Sequence, residues 1–576
     1  MSKMVQQNSL QIEKIRHSLA HLLAMVVLEK FPKAKLGIGP IIENGFYYDF
    51  NRINISPEDL PKLEKRMKEL VKKDIKFERE EISKKEVEKI FQEQPFKFEL
   101  INELKEKPVI YKSGNFIDLC AGPHVKSTKE INPDAFKLTK IAGAYWRGNE
   151  KNPMLTRIYG VAFETKKELD NYLKFVEEAE KRDHRKIGKD LDLFSFHEEG
   201  PGFPFWHPKG VIIFQELVNF VRKENRKRGY EEVITPPILN KKLWLTSGHW
   251  EKFKESMYFT EIERQEFAVK PMNCPGGLLI YKEKMYSYRD LPVRFAEFGL
   301  VHRHELSGVL HGLFRVRSFT QDDAHVFCTP EQLENEIISM VDYAFDIYKT
   351  FGFDDYEIFI ATRPGKYIGD EKIWEKATKA LEGALKSKKI KYAIKEGEGA
   401  FYGPKIEFDI KDALGRDWQL GTIQVDFSMP ERFGAFYIDK NGKKQTPVMI
   451  HRAILGSLER FIGILIEHYN GALPFWLSPI QIAIVPISEK YNTYAKKVYS
   501  RLLESNISVL ISDEPETLNK RIRNAELQKI PYILVVGEKE EKSNSVAVRS
   551  REKGDIGGMS LEKFLEKIKE EIEEKK

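Results

Sequence analysis

The decisive stretch of the sequence is Phe314-Arg315-Val316-Arg317-Ser318-Phe319-Thr320-Gln321-Asp322-Asp323-Ala324-His325. Val301-His302-Arg303-His304-Glu305 precedes it, and His451-Arg452-Ala453-Ile454-Leu455-Gly456-Ser457-Leu458-Glu459-Arg460 follows far downstream. Arginines in fixed positions can stabilise the charge on a phosphate under attack, because the guanidinium group is a planar and permanently charged donor. A single arginine is more often a surface residue in an ion pair, and only the combination of these segments favours a functional interpretation.

The same stretch contributes one of three residues that could hold a metal ion. Cys274, in Lys270-Pro271-Met272-Asn273-Cys274-Pro275-Gly276, joins His325 and His451 as candidate ligands. One thiolate and two imidazoles form a ligand set that Zn²⁺ accepts with a fourth position left open. Cys328 lies three residues after His325 and competes as a ligand by spacing alone, although a buried small side chain is its alternative role.

A second group of candidate ligands lies nearer the start of the chain. His17 and His21 are four residues apart, which places both on one face of a helix, and Cys120 and His124 can converge on them. By spacing alone this set predicts another zinc site. Isolated buried histidines are the alternative, which two like-spaced pairs make less favourable. Two chemically competent sites on one chain suggest two reactions.

Composition indicates a soluble protein of several domains. The chain has 576 residues, of which 41% are hydrophobic and 32% charged, and about three or four domains are expected for this length. No apolar run reaches the ~18 residues of a membrane span, so we expect no membrane partner and a cytoplasmic location. The three cysteines lie far apart, which fits a reducing compartment. A net charge of +6 permits an anionic partner without demanding one.

Turn signals and periodicity divide the chain into predicted domains. We expect a compact mixed domain over residues 1–163, an amphipathic linker helix over 164–183 and an aromatic-rich domain over 184–473. A final domain is expected over 474–576, where apolar runs alternate with helical segments. This alternation predicts a small α/β domain with a largely parallel sheet, and Ser560 is the predicted cap of its last helix.

The decisive segments resemble the motifs of class II aminoacyl-tRNA synthetases, and within that class they are most similar to the threonyl-tRNA synthetase family of bacterial type. Residues 301–305 and 314–323 resemble motif 2, residues 451–460 resemble motif 3, and motif 1 would begin near Val233. The resemblance extends from about Ile15 to about Glu570. It implies a multidomain α+β fold: a class II antiparallel sheet flanked by helices, an N-terminal α+β editing domain and a C-terminal α/β anticodon-binding domain.

The resemblance also implies an activity. The family attaches L-threonine to tRNA(Thr) through a threonyl-adenylate, using ATP with Mg²⁺, and motif 1 implies a homodimer. Arg303 matches the arginine at the α-phosphate, and Arg460 matches the one at the far phosphates or the adenine. His249 matches a histidine proposed to help the tRNA ribose lose its proton, with a structural role as the alternative. The other expected contacts to ATP are Glu305, Arg315 and Phe319.

In the family, one zinc ion per subunit reads the amino acid through its amino group and its hydroxyl. The resemblance assigns the ligands to Cys274, His325 and His451. Valine lacks the hydroxyl, and sites built to bind a hydroxyl reject such analogues by ~10⁴- to 10⁵-fold. Serine lacks only a methyl, worth ~1 to 3 kcal/mol, so it should be mischarged and a second, hydrolytic site is needed. The residues expected to complete or line the pocket are Met272, Gln321, Asp323, Tyr402, Lys405 and Gln424.

The second group of ligands matches the editing domain that removes serine from tRNA(Thr). Related motifs bind zinc in alanyl-type enzymes, whereas the resemblance to bacterial threonyl enzymes implies an activated water without metal. His17 or Lys97 would manage protons on that water. The residues expected to orient water and the terminal adenosine are His21, Cys120 and His124, and those expected to shape the pocket are Tyr48 and Asp118.

The final domain should read unpaired anticodon bases, which can be stacked and hydrogen-bonded at their edges. Glu540 and Arg549 match base-contacting positions, and surface ion pairing is their alternative role. Many family members carry a ubiquitin-like domain before the editing domain, whereas this chain begins 16 residues before His17. We expect activity without that domain.

Two other functions fit parts of the sequence. A synthetase-like RNA-binding regulator would keep the tRNA surface and lose the chemistry, but Arg303, Arg460 and the zinc candidates are all present. Another class IIa synthetase, for proline or serine, does not explain the zinc candidates together with this type of editing domain.

Overall fold

The computed structural model describes residues 3–575, with side chains from residue 10 onward. The chain divides into two compact units, one up to Glu178 and the other from Ala179. Within the described range, none of the helices has the length and apolar character needed to cross a membrane.

The first unit combines a long helix with antiparallel sheets. Its helices are α1 (Lys3–Lys30), α2 (Leu60–Val71), α3 (Lys84–Ile90), α4 (Pro95–Glu103) and α5 (Lys166–Lys181), the last of which ends just past the division. Its strands are β1 (Lys35–Leu36), β2 (Ile41–Ile42), β3 (Gly45–Asn51), β4 (Glu78–Glu81), β5 (Val109–Ser113), β6 (Phe116–Leu119), β7 (Phe136–Tyr145) and β8 (Met154–Ala162). One sheet has the order β1-β3-β8-β7 with β2 on β3, and the other has the order β4-β5-β6.

Helix α1 forms because apolar side chains recur along it at helical spacing. Leu19, Leu22, Leu23 and Val26 are buried and pack toward α2 and β3, as expected for an amphipathic helix. His17 and His21 lie one turn apart on this anchored helix, so their positions are fixed relative to the sheet.

The second unit contains the remaining elements. The helices before residue 470 are α6 (His184–Asp190), α7 (Pro208–Lys227), α8 (Lys241–Ser247), α9 (His249–Lys252), α10 (Cys274–Lys282), α11 (Leu333–Thr350), α12 (Glu371–Ser387), α13 (Ser428–Arg432) and α14 (Leu458–His468). The small strands are β9 (Phe194–Ser195), β10 (Phe205–Trp206), β12 (Ile238–Asn240), β13 (Tyr258–Ile262), β14 (Gln265–Val269), β15 (Tyr286–Ser287), β22 (Tyr437–Ile438) and β23 (Lys444–Gln445).

An eight-stranded sheet forms the centre of this unit. Its strands are β11 (Glu231–Glu232), β16 (Val293–His302), β17 (Ser318–Cys328), β18 (Tyr356–Ala361), β19 (Ala393–Lys395), β20 (Lys405–Lys411), β21 (Asp417–Asp426) and β24 (Val448–Ser457). The order is β11-β16-β17-β24-β21-β20-β18-β19, antiparallel except at the two edges. Side chains of α7, α11, α12 and α14 join one face of the sheet in the largest core. The predicted antiparallel sheet flanked by helices is confirmed.

The C-terminal elements form a mixed sheet rather than the largely parallel one that the sequence pattern suggested. The strands are β25 (Ile482–Pro486), β26 (Val509–Ile511), β27 (Tyr532–Val536), β28 (Ser545–Ser550) and β29 (Gly554–Ser560), and the helices are α15 (Asn492–Leu503), α16 (Leu518–Leu527), α17 (Glu538–Ser543) and α18 (Leu561–Glu573). The first three strands pair in parallel and the last two antiparallel. Only residues 551–553 join β28 to β29, too few for the crossover that parallel strands require.

The last helix begins where the sequence predicted. Ser560 accepts a hydrogen bond from the Lys563 backbone N–H, which satisfies one of the unpaired donors of the first turn. Leu561, Phe564, Leu565 and Ile568 face the core of the C-terminal sheet, so the stripe serves packing.

Candidate functional sites

The central sheet brings the three catalytic-domain zinc candidates together. His325 on β17 lies directly opposite His451 on β24, and Cys274 begins α10. Their donor atoms all lie within 4.8 Å of one another, and all three side chains are buried. Burial raises the pKa of the Cys274 thiol and lowers that of His325, since neither charged form is solvated. Neutral imidazoles and a thiolate compensated by a cation suit Zn²⁺, so the donor set fits the ion.

Cys328, the competing ligand, points away from this group. His325 and Cys328 are separated by three positions on β17, and side chains alternate faces along a strand. Cys328 is fully buried in the main apolar core with Ala324 and Val326. The structure therefore brings Cys274, and not Cys328, to the two imidazoles.

A cavity of about 520 Å³ opens beside this group. The zinc candidates lie in its wall. The wall also contains every expected contact to ATP and every expected pocket residue: Arg303, Glu305, Arg315, Phe319, Arg460, Met272, Gln321, Asp323, Tyr402, Lys405 and Gln424. Residues spread over almost 190 positions of sequence, from Met272 to Arg460, thus meet in one space.

Two of the cavity arginines, Arg303 and Arg460, are held by backbone carbonyl oxygens. Arg303 Nε donates to the Pro271 carbonyl oxygen at 3.3 Å, and its guanidinium lies 5.0 Å from the centre of the Phe319 ring. Arg460 Nε donates to the Phe314 carbonyl oxygen at 3.0 Å. Both groups are therefore oriented without an opposite charge in contact, which leaves positive potential in the cavity.

Glu305 and Arg315 form an ion pair of 2.9 Å at the rim of the cavity. Arg315 is about half exposed. A pair of this kind is worth ~0 to 1 kcal/mol, so a nucleotide can replace it at small cost.

The pocket residues nearest the zinc candidates are fixed by hydrogen bonds. Asn273 Nδ2 donates to Asp323 Oδ2 at 3.0 Å, and Gln424 Nε2 donates to the Gly403 carbonyl oxygen at 2.7 Å. Lys405 Nζ pairs with Glu407. The role of Asn273 was not predicted from the sequence, although it immediately precedes Cys274 in the quoted turn.

His249 is not brought to the cavity wall. It is fully buried, with Nδ1 2.8 Å from Ser247 Oγ and Nε2 2.9 Å from Met272 Sδ. Burial and the nearby His451 lower its pKa to about 3. The imidazole is therefore neutral and lies behind Met272.

The first unit gathers the other four candidate ligands. The donor atoms of His17, His21, Cys120 and His124 lie within 4.8 Å of one another. Cys120 Sγ is 3.2 Å from His17 Nε2 and 3.3 Å from His124 Nε2. Burial raises the pKa of Cys120 to about 12 and lowers those of all three histidines, so the cluster is uncharged at neutral pH.

A buried carboxylate connects this cluster to the other expected editing residues. Asp118 forms an ion pair with Lys97 at 2.6 Å and accepts a hydrogen bond from the Tyr48 hydroxyl at 2.6 Å. His21 Nε2 is 3.5 Å from the same carboxylate. Lys97 is thus occupied by Asp118, while His17 and Cys120 are the partly exposed members of the group.

Ser18 belongs to the cluster but was missed by the sequence analysis. Its buried Oγ lies 3.1 Å from His124 Nδ1 and accepts a hydrogen bond from Val125 N–H at 3.1 Å. It thereby directs His124 Nε2 toward Cys120. The only sequence signal was the hydroxyl next to His17, because its partner lies 106 positions away.

The two anticodon candidates have different surroundings. Arg549 lines a cleft of about 490 Å³ with Ser550 and Arg551. Glu540 accepts a hydrogen bond from the Gly537 N–H and caps α17. The structure does not bring Glu540 into the cleft that holds Arg549.

Three family models match these regions. Residues 258–469 match the tRNA synthetase class II core domain (G, H, P, S and T), residues 481–571 match an anticodon binding domain, and residues 109–159 match the threonyl and alanyl tRNA synthetase second additional domain. The first match contains the cavity arginines and the last contains Cys120 and His124. Fold and sites together define a class II aminoacyl-tRNA synthetase.

Individual relatives narrow the class. The threonine–tRNA ligase of Carboxydothermus hydrogenoformans is 54% identical over 97% of this chain and 89% of its own length, and that of Acetivibrio thermocellus is 55% identical over 97% and 88%. A crystal structure described as the RNA binding domain of threonyl-tRNA synthetase from Cryptosporidium parvum aligns with a TM-score of 0.66 at 44% identity, covering 67% of this chain and 98% of that one. The chain belongs to the threonine–tRNA ligase family, as its motifs predicted.

Proposed function

We propose that this protein attaches L-threonine to tRNA(Thr) through a threonyl-adenylate and hydrolyses seryl-tRNA(Thr) at a separate site. The observation that carries the proposal is the single cavity in which the cysteine–histidine group faces Arg303 and Arg460. Such a cavity can hold a small hydroxylated amino acid at one end and a nucleoside triphosphate at the other. ATP enters with Mg²⁺, which balances its charge.

The amino acid end of the cavity has the groups needed to recognise threonine. Cys274, His325 and His451 would hold one Zn²⁺ per subunit, which when bound supplies a Lewis acid with an open position for an amine and a hydroxyl. Asp323, oriented by Asn273, accepts a hydrogen bond from the substrate amino group. Gln424, fixed through its amide nitrogen, leaves its carbonyl oxygen available as an acceptor.

The nucleotide end favours adenylate formation. The threonine carboxylate attacks the α-phosphorus of ATP, a P–O bond forms, and pyrophosphate leaves with the electron pair of the broken bond. Arg303 is already held by Pro271 and Phe319, so it stabilises the added charge with little reorganisation. Arg460 binds the far phosphates or the adenine, and Arg315 releases Glu305 to join it.

His249 has a structural role in this proposal. Its position behind Met272 supports packing of the amino acid pocket rather than proton transfer from the tRNA ribose.

The editing reaction uses the cluster in the first unit. Water attacks the ester carbonyl of seryl-tRNA, its proton goes to the neutral His17 imidazole, and the ribose oxygen leaves with a returned proton. His17 suits this role better than Lys97, because Lys97 is paired with Asp118. Cys120 and His124 orient the water and the terminal adenosine. The same four donor atoms also suit zinc, and metal analysis of the purified protein before and after Cys120→Ala decides between the two.

The editing assignment is tested with the double variant Cys120→Ala, His124→Ala. We expect it to charge tRNA(Thr) with threonine at the wild-type rate and to release stable seryl-tRNA(Thr). Unchanged deacylation of seryl-tRNA(Thr) would refute the assignment.

We also propose that the protein is a homodimer that binds the tRNA anticodon through its C-terminal domain, with Arg549 in the cleft. Support for the dimer comes from the sheet edge at β11, where the apolar Ile234 is 85% exposed. Leu300 on the neighbouring β16 is also exposed. Apolar side chains at an unpaired sheet edge are typical of an interface.

A further inference from the structure

His184 is a fully buried histidine at the start of α6, outside both sites. Its Nδ1 lies 2.6 Å from Glu467 Oε1, and its backbone N–H donates to the same oxygen at 2.9 Å. On the other side of the ring, the Leu313 backbone N–H donates to Nε2 at 2.9 Å. The ring therefore bridges the end of α14 and the connection between β16 and β17.

These contacts fix the protonation of the ring. A backbone N–H can only donate, so Nε2 is the acceptor and the proton resides on Nδ1, where it is donated to the Glu467 carboxylate. Asp183, His184 and Glu467 also have the spacing of a metal site. Both carboxylates face Nδ1. Because Nε2 accepts from the Leu313 N–H, Nδ1 carries the proton and has no lone pair for a metal, so the group is a hydrogen-bond relay.

The relay ends at the tip of the hairpin that carries the nucleotide residues. Leu313 lies between Glu305 and Arg315 in the β16–β17 connection. The carbonyl oxygen of the next residue, Phe314, accepts a hydrogen bond from Arg460 Nε at 3.0 Å. Arg460 and Glu467 are seven positions apart on α14, two turns along one face. Helix α14 therefore contacts the hairpin tip in two ways. Arg460 contacts it directly, and Glu467 contacts it through His184.

The hairpin approaches the imidazole too closely for a side chain at position 312. Gly312 has φ +47°, and a Cβ there would lie 2.2 Å from His184 Nε2. The Phe314 ring packs on the other side, with ring centres 4.1 Å apart. Position 312 therefore requires glycine as long as position 184 is histidine.

We propose that His184 is a positioning residue. It fixes the position of the β16–β17 hairpin relative to the nucleotide site, and through the hairpin the positions of Arg315 and Arg460. The inference rests on the function proposed above. The positioning role predicts that loss of the imidazole weakens the use of ATP. Recognition of threonine at the zinc candidates should be retained.

The test is ATP–pyrophosphate exchange with threonine, measured for the full-length protein and its His184→Ala variant. We expect kcat/KM for ATP to fall roughly 10- to 100-fold, mainly through a higher KM, because supporting residues of a site typically contribute on this scale. The KM for threonine should stay at its wild-type value. The matched control is His468→Ala, which removes the imidazole at the end of α14. His468 accepts from the Ala413 N–H rather than from the hairpin, so the KM for ATP should be unchanged.

A double-mutant cycle separates positioning from folding. Gly312→Ala alone should raise the KM for ATP, because its Cβ collides with the ring. In His184→Ala, Gly312→Ala the collision with the ring is gone and only the flexible Arg185 side chain, whose Cγ would lie 2.8 Å from the new Cβ, has to move. The two effects should therefore be less than additive. Additive effects would overturn the matched contact.

The outcomes distinguish this inference from the function on which it rests. Absence of exchange in the wild-type protein would contradict the proposed function. Exchange in the wild type with an unchanged KM for ATP in His184→Ala, even with a lower melting temperature, would overturn the positioning role and leave the function intact.

Discussion

Single residues give the two cysteine–histidine groups different surroundings and different chemistry. Cys274, His325 and His451 face a large cavity with fixed arginines, so an ion held there can meet an amino acid and ATP together. The cluster around Cys120 adjoins the buried Asp118–Lys97 pair instead. Its neutral imidazoles suit proton transfer. The two sites contain the same types of residue, but their surroundings favour different reactions.

The first prediction concerns the choice between two thiols. Cys274→Ala should remove the zinc ion of the cavity and abolish threonine-dependent pyrophosphate exchange, because the ion would lose its thiolate. Cys328→Ala is the matched control, since it removes a buried thiol from the opposite face of β17. Zinc content by mass spectrometry checks both variants, and loss of zinc only with Cys328→Ala would contradict the assignment.

The second prediction concerns Ser18. Ser18→Ala should slow hydrolysis of seryl-tRNA(Thr) roughly 10- to 100-fold, as expected when the partner that orients a functional imidazole is lost. Threonine charging should not change. Ser113→Ala is the control, because Ser113 is equally buried and its Oγ has no hydrogen-bond partner among the described residues. Equal deacylation rates for the two variants would count against a role for Ser18.

At the level of elements, the proposed threonine pocket depends on how closely β16 approaches the turn before α10. A Cβ on Gly299 would lie 2.2 Å from the Asn273 side chain, the group that orients Asp323. The strand therefore needs glycine at this position, and the turn that presents Cys274 rests directly on the strand.

The third prediction follows from that approach. Gly299→Ala should raise the KM for threonine roughly 10- to 100-fold by displacing Asn273 and Asp323, with a smaller effect on the KM for ATP. Gly558→Ala, on β29, is the control, because the nearest atom to its Cβ would be 3.9 Å away. Steady-state exchange kinetics measure both, and a larger change for ATP than for threonine would show that the strand supports a different part of the cavity.

Elements also explain which features could be predicted from sequence. The cavity residues lie in contiguous motifs whose charges and ligands indicate their chemistry. Sequence patterns did not identify three residues, Ser18, Asn273 and His184, because their hydrogen-bond partners lie 106, 50 and 129 positions away. No neighbouring residue in the sequence indicates these contacts. The β28–β29 hairpin was missed because the glycines of β29 break the alternation of apolar residues that predicts a strand.

At the level of the whole molecule, the proposed function combines two reactions in one chain, and the second corrects errors of the first. A zinc ion held by Cys274, His325 and His451 would distinguish a hydroxyl well and a methyl poorly, so serine would pass the first site and be removed by the second. The dimer is proposed from apolar residues near the sheet edge at β11, which lie in the second unit.

The fourth prediction tests that assembly. Ile234→Asp should convert the proposed dimer to a monomer, because it would bury an unpaired charge in the interface. Leu527→Asp is the control, since Leu527 is an exposed leucine on α16 of the C-terminal domain. Light scattering after size-exclusion chromatography measures the mass, and a wild-type monomer, or no difference between the variants, would contradict the proposed dimer.

The most direct test of the account is ATP–pyrophosphate exchange by the purified wild-type protein with threonine, serine, valine and proline. We predict the highest kcat/KM for threonine, a value ~10- to 200-fold lower for serine, which lacks one methyl, and one ~10⁴-fold or more lower for valine, which lacks the hydroxyl. Proline should give no exchange. Exchange with proline alone, or equal rates with valine and threonine, would contradict the account.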